Sequence, residues 1–184
     1  LQGASLVYDT DNSRLLLFGG NKASSGTALL QNATYSFDSG TSVWSLLTPS
    51  GTLPVARMNH SACFDSINSR MVIFGGQDSN ATTPFRNDVQ FLNVASPSGN
   101  WVQATIVAGS IDGRTGAFCG ITATGDRMVV LGGYTLASGA TLQLYELEFI
   151  SPSLGTWTAI PTFAPTTPKS IVAGAGAWDP AGER

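Results

Sequence analysis

Few side chains in this chain could do covalent or metal chemistry, and His60 is its single histidine. A lone histidine can serve as a general base, but zinc needs three or four nitrogen, sulfur or carboxylate ligands, and none cluster around it. No Ser-His-Asp arrangement, carboxylate pair or activated thiol emerges either. The paired glycines Gly19-Gly20, Gly75-Gly76 and Gly132-Gly133 could suggest a phosphate cradle. No helical pattern follows them, and no Lys and Ser complete a phosphate-binding loop. Turns that need a positive φ explain them better.

The spacing of those glycines carries the stronger message. The pairs recur after 56 and then 57 residues, and Trp44, Trp101 and Trp157 keep the same period, spaced by 57 and 56. Four apolar residues precede each pair, as in Leu15-Leu16-Leu17-Phe18, and Arg14, Arg70 and Arg127 stand just before each run. Two landmarks holding one period mark an internal repeat. Each repeat reads as four strands. The first runs Ala4 to Asp9, His60 to Asp65 and Ala117 to Thr122; the second is the apolar run, bounded by Gly as a strand covered on both faces would be. The third alternates, as in Tyr35-Ser36-Phe37, and the fourth carries the Trp. No capped helical period occurs.

An apolar run, Gly-Gly, an aromatic strand and a spaced Trp resemble the kelch repeat, over essentially the whole chain. The resemblance implies an all-β, kelch-type β-propeller of four-stranded antiparallel blades, each hiding an apolar face against its neighbour. The expected blades span about 1–47, 57–105 and 114–160, with the Trp strand outermost in each. The first strand of a fourth begins at about 170–184, where Asp179 and Arg184 match Asp9 and Arg14 three periods earlier. Three blades and a fraction suggest a partial propeller, either a piece of a larger ring or a chain that self-associates to complete one.

Repeat positions also decide single residues. Asp9 with Arg14, Asp65 with Arg70, and Asp179 with Arg184 bracket the first hairpin turn and read as clasps that fix its register. Cys63 and Cys119 sit one repeat apart but offset by one position, so they read as small apolar fillers on separate blades rather than a disulfide. His60, aligned with Ala4, Ala117 and Gly174, reads as a hydrogen-bonded residue beside the channel.

Composition narrows function. Charged residues are 11% against roughly 25% in an average soluble domain, apolar residues are 42%, and net charge is −3 without a basic cluster. Disorder and a nucleic-acid surface are therefore not expected. No 18-residue apolar stretch could span a membrane. The sequons at Asn32, Asn59 and Asn80 point to N-glycosylation and an extracellular, secreted protein, with the cytoplasm as the alternative.

Topology puts the long connections, Asn21 to Thr34, Gln77 to Asp88, Tyr134 to Leu142, Thr48 to Ala56 and Thr162 to Lys169, on one rim, the usual seat of recognition. Arg57 and Arg114 open successive first strands there, where Leu1 and Ile171 stand in the other blades. In kelch domains that bind acidic peptides, arginines at this place line the channel mouth. The expected function is thus a non-catalytic scaffold, without cofactor or metal, binding a protein or glycan through this rim by Arg57, Arg114 and His60. The alternative, by resemblance to galactose-oxidase-type propellers, is a copper enzyme whose metal site lies outside this segment.

Overall fold

The computed structural model describes residues 1–22 and 29–161. The expected fourth-blade strand, with Ile171, Gly174, Asp179 and Arg184, and the link from Thr162 to Lys169 lie outside the described residues.

The first sheet is β1 (Ser5–Asp9), β2 (Arg14–Phe18), β3 (Thr34–Asp38) and β4 (Val43–Leu47), antiparallel throughout. After β5 (Ser50–Gly51), the second repeats that order as β6 (Ser61–Asp65), β7 (Arg70–Phe74), β8 (Val89–Asn93) and β9 (Asn100–Gln103). Two short strands follow, β10 (Thr105–Ala108) and β11 (Arg114–Thr115). The third sheet takes β12 (Phe118–Ile121) and β13 (Arg127–Leu131), is interrupted by β14 (Tyr134–Thr135) and β15 (Gly139–Ala140), and closes with β16 (Leu144–Ser151) and β17 (Leu154–Ile160). The described residues are all-β.

One expectation is corrected. The Trp strand is outermost only in the first sheet. In the next two, the link leaving the preceding blade lies parallel along the outer edge: β5 on β9 and β10 on β17. A chain that must travel from one blade's outer edge to the next blade's inner strand can satisfy the free N–H and C=O groups it passes. Gly51 (φ 81) and Gly109 (φ 70) make the approach, and a Cβ at either would collide with the backbone oxygen of Trp101 or Trp157.

The cores lie between sheets. Leu16 and Phe18 meet Met71, Ile73, Leu92 and Trp101 across the first joint. Val72, Phe74, Val89 and Phe91 meet Cys119, Met128, Val130, Tyr145 and Trp157 across the second. Each buried Trp reaches back to the previous blade's Gly-Gly strand: Trp101 lies 4.9 Å from Phe18 and donates Nε1–H to Thr34 Oγ1, and Trp157 lies 5.5 Å from Phe74. Among the described residues, the aromatic partner of Trp44 is Phe37 of its own sheet, and Trp44 is 49% exposed. Trp101→Ala is therefore expected to cost about 3–5 kcal/mol, and Trp44→Ala under about 1 kcal/mol, in urea unfolding of this chain. Equal losses would show that the tryptophans act within their own sheets.

The clasps form and do more than hold hairpins. Arg14 Nε meets Asp9 at 2.9 Å and Arg70 Nε meets Asp65 at 2.7 Å, with both carboxylates fully buried. Asn12 and Asn68 add a backbone and an amide donor to the same carboxylates. Arg14 and Arg70 each extend a second nitrogen to the following blade, onto Pro97 O and Pro152 O. Arg70 is also held between the rings of Phe91 and Phe149. In the third sheet Thr122 replaces the aspartate, and half-exposed Arg127 turns to Glu146 instead.

Candidate interaction rim

On the rim where the inner strands begin, each sheet continues as a short three-membered ladder. Its members are Gln2, Asn21 and Leu30 in the first blade, and Met58, Gln77 and Phe85 in the second. In the third they are Thr115, Tyr134 and Ala140 of β11, β14 and β15. The residue after each Gly-Gly pair is always the middle member. Its two glycines, at φ 66 and 90 for Gly75 and Gly76, turn the chain out of the second strand and into this ladder. They also seat the next blade, because Gly20 N donates to Arg57 O and Gly76 N to Arg114 O, each at 2.8 Å.

Side chains pin the loops above. Asp78 accepts from Asn80 N, Asn80 accepts from Thr82 N and Thr83 N, and Thr135 Oγ1 accepts from Ser138 N. Leu29, Tyr134 and Leu136 stand out of this bonded backbone 57%, 44% and 61% exposed. Phe85 joins the second and third blades by an edge-to-face contact with Tyr134 at 6.0 Å. Beside Asp88, a cleft of about 470 Å³ walled by Gln103, Ile111 and Trp157 opens on the outer side.

The two arginines expected to meet a ligand are placed otherwise. Arg57 is fully buried. Its Nη1 and Nη2 take both oxygens of Asp88 at 2.8 Å, Nη1 also reaches Gly75 O, and Nε reaches Val55 O. Burial pushes the Asp88 carboxyl up, but the hydrogen bonds and charge of Arg57, with Gln90 and Arg86, bring it below the usual range. Arg57 is thus a strut, with no donor facing outward. The carboxylate that occupies it comes just before the third strand, a place held by Ala33 and Gln143 in the other blades.

Arg114 is also buried and lies over the Tyr145 ring, bonded to Asp112 O and Gly132 O. Among the described residues it makes no ion pair, Nη2 has no partner, and burial lowers its pKa although the nearby Asp112 charge opposes this. The accessible arginine on this rim is one that sequence reasoning passed over. Arg86, 34% exposed, is held by Asp78 and Asp88 at 3.3 and 3.5 Å.

His60 hydrogen-bonds across the first joint to Ser5 Oγ at 2.6 Å and packs edge-on to Phe18. Its Nδ1 is buried without a partner. Burial, and then the nearby Arg57 charge, lower its pKa from 6.5 to about 3. It is therefore a neutral inter-blade staple at physiological pH. Asn32, Asn59 and Asn80 are exposed, but Asn59 holds a strained turn at φ 54 whose backbone bonds Gly3 and Gly116 of the flanking blades. Among the described residues, no three His, Cys, Asp or Glu side chains are grouped to hold a metal ion.

Residues 3–178 match the family model of the KLHDC2/KLHL20/DRC7 Kelch-repeats domain. The chain is similar to Kelch domain-containing protein 3 of Homo sapiens and of Bos taurus, 34% identical over 128 residues in each. That match takes 70% of this chain and 30% of each relative, so the chain spans under a third of their length. It is also 34% identical over 84 residues to Dynein regulatory complex subunit 7 of Chlamydomonas reinhardtii, covering 46% of this chain and 7% of that protein. Among solved structures, YjhT superposes with a TM-score of 0.68 over 92% of this chain and 54% of its own, at 17% identity, a likeness of fold.

Proposed function

Because this chain belongs to the Kelch-repeats family, we propose that it is a non-catalytic scaffold that binds a protein partner through the loop rim. The carrying observation is that Leu29, Tyr134 and Leu136 stand exposed on loops whose backbone is locked into the blade ladders. Exposed aromatic and aliphatic groups on a rigid support lose little conformational freedom when a partner covers them. Arg86 adds a half-accessible cation with its geometry already fixed by two aspartates, and the cleft beside Asp88 can admit a side chain. Arg57 and Arg114 serve this surface from below, by holding the rim.

Selection of binders from a displayed peptide library against the whole chain tests the assignment. For an enriched peptide, Tyr134→Ala or Leu136→Ala is expected to weaken binding about tenfold or more, as loss of a central apolar contact does, without changing Tm. Ile150, equally exposed on the opposite rim, should tolerate alanine. If Ile150→Ala removes binding and both rim variants keep it, the face is the other one. No enriched peptide, together with binding of the same chain to a glycan array, would make the partner a saccharide.

A further inference from the structure

The inner strands β6 and β12 run side by side in the same direction. Asn59 O accepts from Gly116 N, Ser61 Oγ donates to Ala117 O at 2.6 Å, and Asn68 donates to Gly125 O, so the contacts advance together along both chains. Alternate residues of a strand face opposite sides. In β6, Ala62 and Phe64 pack backward into the joint with the first blade, and Cys63 packs forward into the joint with the third. In β12, Cys119 belongs to that same second core. The offset by one position that separates the cysteines in the repeat is therefore what turns them toward each other. Two residues beyond the Ser61–Ala117 bond on both strands, the two thiols enter the same joint, near enough for Cys119 to help raise the Cys63 thiol. At the first joint the corresponding places hold Val7 and Ala62, an ordinary apolar pair.

We propose that Cys63 and Cys119, both free thiols here, are an oxidation site that a peroxide converts to a disulfide joining the second and third blades. Cys63 is half-buried and Cys119 is 5% exposed, so Cys63 reacts first. Its sulfur takes one peroxide oxygen to become a sulfenic acid, and the remainder leaves as water or alcohol with the thiol proton. The Cys119 sulfur then displaces the hydroxyl as a second water, forming the S–S bond. Two thiols are oxidised by two electrons and one peroxide is reduced. Burial, and then contact with Cys119, raise the Cys63 thiol, so the first step is slow, and the waiting neighbour makes the second fast.

The folded chain is treated with hydrogen peroxide, unfolded with an alkylating agent and mapped by mass spectrometry. Both thiols are expected to vanish together into one Cys63–Cys119 linked peptide within a single chain. The oxidised chain should melt about 5 °C or more higher, as a cross-link between distant strands does, and dithiothreitol should reverse the shift. In Cys119→Ala, Cys63 should go on to sulfinic acid under the same treatment. Two intact thiols when half-buried Met58 is already fully sulfoxide would overturn the proposal. So would independent loss of each thiol in the unaltered chain, linkage between chains, or a disulfide that lowers Tm.

Discussion

Replacing Arg57 with alanine is expected to destabilise the chain by about 3–5 kcal/mol, because it strips one partner from a buried ion pair. Asp88 is 9% exposed and Gly75 O lies inside the blade, so water cannot replace the lost donors. The loss corresponds to a fall in Tm of roughly 6–20 °C for a chain of this size. The same change at Arg114 should cost less, because among the described residues that cation has no ion-paired carboxylate to leave stranded. Arg114→Met should cost least, since a flexible apolar side chain can keep the contact with Tyr145. Urea unfolding of the three variants, with Asp88→Asn in the Arg57→Ala background, makes the comparison. Much of the loss should return in that double variant once the stranded charge is gone. An Arg57→Ala chain within about 1 kcal/mol of the parent would overturn the strut. It would return Arg57 to the surface role that its place in the repeat suggests.

That contrast shows what a single sequence does and does not carry here. Blade order was legible because Gly-Gly and Trp answer to separate demands, a positive-φ exit from the second strand and a ring filling the joint, and still keep one period. The clasps were legible because Asp9 and Arg14 lie five residues apart in one hairpin. Arg57 and Asp88 are 31 residues apart, and Asp88 has no counterpart in the other blades, so no repeat pointed to it. The parallel outer strands were missed because β5 and β10 pair with a blade that comes later in the chain. Gly51 and Gly109, at equivalent places before each link turns inward, were the available signal. The cysteines are free thiols, as their places in the repeat suggest, but the offset of one position, which reverses a strand's face, also brings both to one joint. Arg86 carries no repeat signature, and only its exposure on the folded rim marks it.

The remaining large effect is pH dependence through His60. Its pKa is about 3 in the folded chain and near 6.5 once unfolded. Between those values the unfolded chain holds one more proton than the folded one, so stability rises with pH across the window and is lost as pH falls from about 6.5 toward 3. The slope approaches about 1.4 kcal/mol per pH unit, which amounts to roughly 3 kcal/mol between pH 7 and 4.5. A proton on the ring would leave Nδ1–H buried without an acceptor and would set a second cation beside Arg57. Asp88 cannot imitate this, since its pKa is lowered below the usual 3.8 and its contribution fades only in more acid solution. In His60→Ala the loss of the Ser5 hydrogen bond and of ring packing against Phe18 should lower stability at pH 7. Its stability should then change little down to pH 4.5, so the two profiles converge or cross. Urea midpoints for both proteins at pH 7, 6, 5 and 4.5 measure it. Parallel profiles would mean that His60 accepts its proton in the folded blade, and that the joint between the first two blades opens enough to hydrate the ring.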